Sequence, residues 1–158
     1  MLVSLKRTSI VFLVVLAVIQ VFRPAKSNPQ IDPTSEIHSN LAIPAGMAGV
    51  LQRSCNDCHS NRTVWPWYTQ VAPASWLVVS DVNRGRKALN FSDWTGHRPE
   101  QQQKKLAEIC KEVSEGEMPG VAYTLMHPIA KLSATDVNAL CDWTRTSGQS
   151  VSAATQKQ

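Results

Sequence analysis

Apolar and polar residues fall into three regimes along the chain. Residues 10–22, IVFLVVLAVIQVF, are apolar except for Gln20, and Lys6 and Arg7 precede them. A basic start followed by an apolar run is an export signal. The run is shorter than the roughly 20 residues a bilayer-crossing helix needs, but its flanks can extend it. No small-x-small cleavage site follows Phe22. The expectation is therefore an uncleaved signal anchor over residues 1–26, with a peptide cleaved at an atypical site as the alternative. Lys6 and Arg7 agree with the positive-inside rule, although Arg23 and Lys26 reduce the asymmetry, and the body is expected outside the cytoplasm.

Residues 24–44 are rich in Pro, Ser, Asn and Asp and show no apolar period. They read as an extended linker, assigned to residues 27–44. The body, residues 45–146, shows helical spacing and no alternating strand, which predicts a mostly α domain. Residues 45–60 form a helix that runs into a cysteine pair, despite Gly46 and Gly49. Ser75 precedes Trp76, Leu77, Val78 and Val79, Val82 continues that face, and Gly85 marks a break or a close-packing point. Leu106, Ile109, Cys110 and Val113 fall at i, i+3, i+4 and i+7. Ser133 and Asp136 make a capping box, Leu132 and Val137 a hydrophobic staple, and Leu140, Cys141 and Thr144 continue the face. Residues 147–158 hold one isolated Val and no aromatic, and a frayed, disordered tail is expected there.

A length of 158 residues with 43% hydrophobic content fits one domain with a short appendage. The net charge of +4 and pI near 9.0 point, taken alone, to nucleic acid or an acidic surface. The placement of the charge removes that inference. Four basic residues lie within residues 1–26, and the other 12 are matched by 12 acidic side chains. The basicity belongs to the leader, so nucleic acid is not expected as a partner.

The four cysteines divide into a close pair and two isolated residues. Cys55-Asn56-Asp57-Cys58-His59 is a C-x-x-C-H signature, the attachment motif of c-type haem. Two thiols one helical turn apart can reach the two vinyl groups of one porphyrin, and His59 follows as the proximal iron ligand. A zinc site would need Cys110 and Cys141 as its second pair, and their separation is too wide for the usual spacing. A thioredoxin-like redox pair lacks its βαβ context. Export favours haem, because haem is attached to such motifs outside the cytoplasm.

Haem iron takes Met or His as a second axial ligand. Met118, in Gly116-Glu117-Met118-Pro119-Gly120, sits in a Gly/Pro loop with no helical face to fill and ranks first. His127, held before Pro128, ranks second, and the absence of a protein ligand third. Trp65, Trp67 and Tyr68 follow the motif closely and are expected to wall the haem edge, although ordinary core packing would also use them. Arg62 is a candidate partner for a haem propionate, or a solvated surface charge. Cys110 and Cys141 lie on core-facing stripes. In an oxidising compartment they either pair, which is favoured, or stay as buried thiols.

Several blocks together resemble one family: Cys55 through Asn61, Val64-Trp65-Pro66-Trp67-Tyr68, Ala72 through Leu77, Leu89 through Trp94, Glu115 through Pro119, and His127-Pro128. On these the chain is identified as similar to the haem-binding domain family of bacterial membrane-anchored proteins with a single c-type haem. The resemblance spans about residues 45–145. It implies a small, mostly helical, cytochrome c-like fold around one covalent haem, with Cys55 and Cys58 as thioether cysteines and His59 as proximal ligand. The Met-Pro loop before a capped last helix also resembles class I cytochromes c and agrees with Met118. The expected role is one-electron transfer between redox partner proteins at the periplasmic, outer face of the cytoplasmic membrane, a carrier rather than an enzyme. The alternatives are a haem peroxidase or small-gas sensor with an exchangeable sixth ligand, and a zinc-stabilised interaction domain without haem.

Overall fold

The computed structural model describes residues 2–156, with side chains from residue 5 onward, and among these the regular structure is helical, with no strand. The first helix, α1 (Leu2–Ile19), continues through a 3-10 turn (Gln20–Phe22). Its apolar window Leu5–Phe22 is long enough to cross a membrane, and none of it is buried against the body. The end of this helix is latched. Gln20, the one polar residue of the run, accepts from the Ala72 N–H at 2.9 Å and donates to the Ala72 carbonyl at 3.1 Å. Arg23 donates to the Gln70 carbonyl, and the Trp76 indole N–H donates to the Phe22 carbonyl.

Residues 27–44, expected as an extended linker, are ordered along the body. Apart from the short helix α2 (Ile37–Asn40) they are irregular, but they are strapped to the body. The Arg86 guanidinium donates to the Ser27 carbonyl, to Asn28 Oδ1, to the Ser60 carbonyl and to Thr63 Oγ1. Asn28 Nδ2 donates to the Thr63 carbonyl, and Ile37 is fully buried in the core. A polar segment can be ordered in this way because backbone carbonyls and amides offer partners that leave no trace in hydropathy.

The expected helix over residues 45–60 divides in two. Cys55 adopts φ −127° and ψ −42°, which separates α3 (Ala45–Ser54) from the single turn α4 (Asn56–His59). Helix α5 (Ala74–Ala88) runs on through Gly85, which is a close-packing point and not a break. A Cβ there would lie 2.5 Å from the Cys58 carbonyl oxygen, so only glycine lets α5 and α4 approach so closely.

Helix α6 (Pro99–Ser114) buries the predicted stripe Leu106, Ile109 and Val113. It ends in a Schellman motif: Gly116 takes φ +74°, its N–H reaches the Val113 carbonyl, and the Glu117 N–H reaches that of Glu112. The Met118 N–H also donates to the Glu112 carbonyl at 3.2 Å, so the cap fixes the start of the methionine loop. A further helix, α7 (Val121–Met126), was not anticipated from the pattern; six residues are too few to show a period.

The last helix, α8 (Ala134–Thr155), begins at the predicted capping box, with Ser133 Oγ accepting from the Asp136 N–H and Asp136 Oδ2 accepting from the Ser133 N–H. It does not fray at residue 147. Ser147 is buried and Val151 packs on the core, so the helix extends to Thr155; residues 157 and 158 of the expected tail lie outside the described residues. Helices α6 and α8 pack along each other and are joined by the Cys110–Cys141 disulfide, with Cα atoms 4.7 Å apart. Trp94 and Trp143 are buried beside Leu51 and Leu106 in the same core, which α3, α6 and α8 share.

Candidate metal centre

The motif residues sit where α3, α4 and α5 meet. Ring nitrogen Nδ1 of His59 lies 3.1 Å from both the Gly85 and the Leu89 carbonyl oxygens. Carbonyls only accept, so Nδ1 carries the proton and Nε2 is left with its lone pair. Gly85 lies in the last turn of α5 and Leu89 is the extended residue that caps it, and Gly85 permits the approach of α5 to α4. Burial also holds the His59 pKa below its ordinary value, against the raising effect of the two carbonyls, which favours the neutral imidazole that binds metal. This is the usual outer-shell support of a metal-binding histidine, supplied here by backbone.

Cys55 and Cys58 are free and half-buried. Burial pushes the Cys55 thiol up to about 12, with the neighbouring Cys58 adding to it. Burial likewise raises Cys58 to about 11, and the Asp57 and Asp81 carboxylates act in the same direction. Both stay protonated at neutral pH, which keeps them from reacting as thiolates.

Two cavities flank α4. One, about 1090 Å3 counting its open mouth, is lined by Cys55, His59, Leu89, Phe91, Ile109, Val113, Met118 and Pro119, with Lys105, Lys111, Glu108 and Glu112 also among its lining residues. The other, about 830 Å3 on the same measure, is lined by Cys58, Tyr68, Leu77, Val82, Tyr123, Met126 and His127. Met118 therefore shares a cavity with His59, and His127 does not. His127 Nε2 lies 3.4 Å from the Tyr68 hydroxyl, and its ring stands 4.4 Å from that of Tyr123. Tyr123 donates to Asp57 Oδ2 at 2.8 Å; burial first, then this carboxylate, raises its pKa well above the ordinary phenol value.

The remaining candidates are placed differently. Tyr68 lines the second cavity, whereas Trp65 and Trp67 line neither. Trp67 is 77% exposed, and the Trp65 indole donates to Asn28 Oδ1 in the strap. Arg62 is no cavity cation: its guanidinium is committed to the Glu36 carboxylate, at 2.9 and 3.1 Å, on the surface. The cations that do reach the His59 cavity are Lys105 and Lys111 of α6. Sequence reasoning missed Tyr123, Asp57 as its acceptor, and the two α5 carbonyls. Gly85 was the available signal for the last of these.

The donor set suits haem: a neutral imidazole with a free Nε2, the reduced Cys55 thiol and the Met118 thioether lining one largely apolar cavity, and the reduced Cys58 thiol lining the neighbouring one. It does not suit a four-ligand zinc site, because Cys110 and Cys141 are consumed in the disulfide. The sequence profile of the haem-binding domain family matches residues 14–146. The chain belongs to that family. As a haem-binding domain protein it binds haem, and its helical body matches what the motif requires. No curated protein and no solved structure matches the chain.

Proposed function

We propose that this haem-binding domain protein holds one haem covalently through Cys55 and Cys58 and works as a one-electron carrier. In this reading Leu5–Phe22 is its membrane anchor, and the body faces the outer side of the cytoplasmic membrane, where redox partner proteins meet it. His59 Nε2 and Met118 Sδ are the atoms that would hold the iron. The observation that carries the reading is the shared cavity of His59 and Met118, with the imidazole already oriented by the Gly85 and Leu89 carbonyls. Haem, when bound, supplies an iron that changes oxidation state by one electron.

The chain's own residues supply the rest. The carbonyl pair fixes which nitrogen is free and makes the imidazole a better donor. Phe91, Ile109 and Val113 exclude water, which disfavours the more positive oxidised state. Lys105 and Lys111, which line the cavity and pair with Glu108 and Glu115, are the cations placed to meet the propionates. Were His59 and Met118 both to hold the iron, no position would be left for peroxide or a gas, which would suit electron transfer.

Optical spectra of the holoprotein test the ligand set. The Met–iron charge-transfer band of the oxidised form is expected to vanish in Met118→Ala and to persist in His127→Ala. The reverse outcome would overturn the Met118 assignment, and a wild-type spectrum without the band, altered by His127→Ala alone, would transfer it to His127. Rapid carbon monoxide binding by the reduced wild-type protein would instead favour a sensor or peroxidase with an exchangeable sixth position.

A further inference from the structure

A groove at the membrane end of the body has no part in the haem chemistry. It lies between the end of the apolar helix and the outer face of α5 and is lined by Phe22, Arg23, Trp76, Val79, Arg84 and Lys87, among others. We infer that this groove takes the phosphate headgroup of an anionic phospholipid, so that the body lies on the bilayer in one orientation. The inference rests on the anchor reading given above.

Three observations carry it. The first is depth: the apolar window ends at Phe22, and residues at the end of a membrane span lie at headgroup level. The Gln20, Arg23 and Trp76 hydrogen bonds latch the body to that end, so residues 70–76 are held at the same level. The second is amphipathic anchoring. Trp76 and Leu77 are exposed on α5, with Val71 just before it and Trp67 nearby, all beside the latch. Indoles with one polar edge and one apolar face favour the interface between lipid and water.

The third is charge. Arg23, Arg84 and Lys87 line the groove, which has no carboxylate in its lining; Arg84 also pairs with Asp81, a residue that lines the cavity beside Cys58. Two guanidinium N–H groups of Arg23 are used by the Gln20 and Gln70 carbonyls, and the charge remains. A net positive groove with an apolar floor at headgroup depth complements a phosphodiester carrying acyl chains. Each surface cation contributes about fivefold to the binding of an anionic lipid.

Native mass spectrometry of the full-length holoprotein, released from nanodiscs of phosphatidylcholine mixed with phosphatidylglycerol, tests this directly. The expected spectrum shows an intact N-terminus and phosphatidylglycerol retained in preference to phosphatidylcholine. In Arg84→Gln/Lys87→Gln, both exposed substitutions, retention falls on the order of 25-fold. In the equally charged control Lys104→Gln/Arg145→Gln it does not change. An intact N-terminus with no lipid preference, or with equal loss in the control, overturns the inference and leaves the anchor standing. Membrane-derived protein whose mass lacks residues 1–22 overturns the anchor, and the inference with it.

Discussion

His59 shows how little of a metal site a motif contains. Its position after Cys58 is readable because Cys55, Cys58 and His59 fall within one five-residue stretch. Its orientation is not, because the groups that set it are the backbone carbonyls of Gly85 and Leu89, which have no side-chain signature. Gly85 links the two. Replacing it by Ala puts a methyl group 2.5 Å from the Cys58 carbonyl oxygen and forces α4 away from α5. Gly85→Ala is expected to cost about 1 to 3 kcal/mol of stability, as overpacking does, and to weaken the His59–iron bond. Denaturant titration and the absorption spectrum of the same sample check both. Arg62, expected as either a propionate partner or a surface charge, takes the second role. A cation near the motif in sequence was a reasonable propionate partner, but a surface guanidinium pairs with whatever carboxylate the fold brings, here Glu36. Lys105 and Lys111, far away in sequence, reach the cavity because α6 lies across it.

At the scale of elements, α6 and α8 form the frame on which the methionine loop hangs. Their stripes and the Ser133–Asp136 box were readable from periodicity and capping, since both are local. The strap over residues 27–44 and the final turns of α8 were not. Both are polar in composition, and both are ordered by tertiary partners, Arg86 and the Ile37 pocket for the first, and packing at Ser147 and Val151 for the second. The disulfide closes a loop containing Met118. Cys110→Ser/Cys141→Ser is expected to lose about 3 to 4 kcal/mol in the loop-entropy model, and to broaden the Met–iron band as the loop loosens. Thermal unfolding followed at a haem band reads both effects.

The start of α8 also sets a pH dependence. The Ser133 backbone N–H, then the Arg53 guanidinium at 2.7 Å, hold the Asp136 carboxyl down at about 2, below its ordinary 3.8. A carboxylate depressed in the folded state stabilises fully above its ordinary value, and that contribution disappears as pH falls toward about 2. Asp136→Asn should therefore be less stable than wild type at neutral pH and should converge with it in that acid window. Denaturation midpoints across the window would show the convergence. A constant gap between the two proteins would mean that packing, and not charge, is what the substitution removes.

For the molecule as a whole, an apolar helix, a latch at Gln20, a strap held by Arg86 and a helical body around α4 make a haem-binding domain fixed beside the end of its own N-terminal apolar helix. The division of the four cysteines expresses the same plan: one pair is oxidised to hold α6 against α8, while the other stays reduced beside His59. On the proposed function this reduced pair carries haem covalently. That central claim is tested most directly by the mass of the chain unfolded in acid after expression with the haem-attachment machinery. Wild-type protein should keep one haem through denaturation, and Cys55→Ala/Cys58→Ala should keep none. Haem extracted freely from the unfolded wild-type chain would contradict the account.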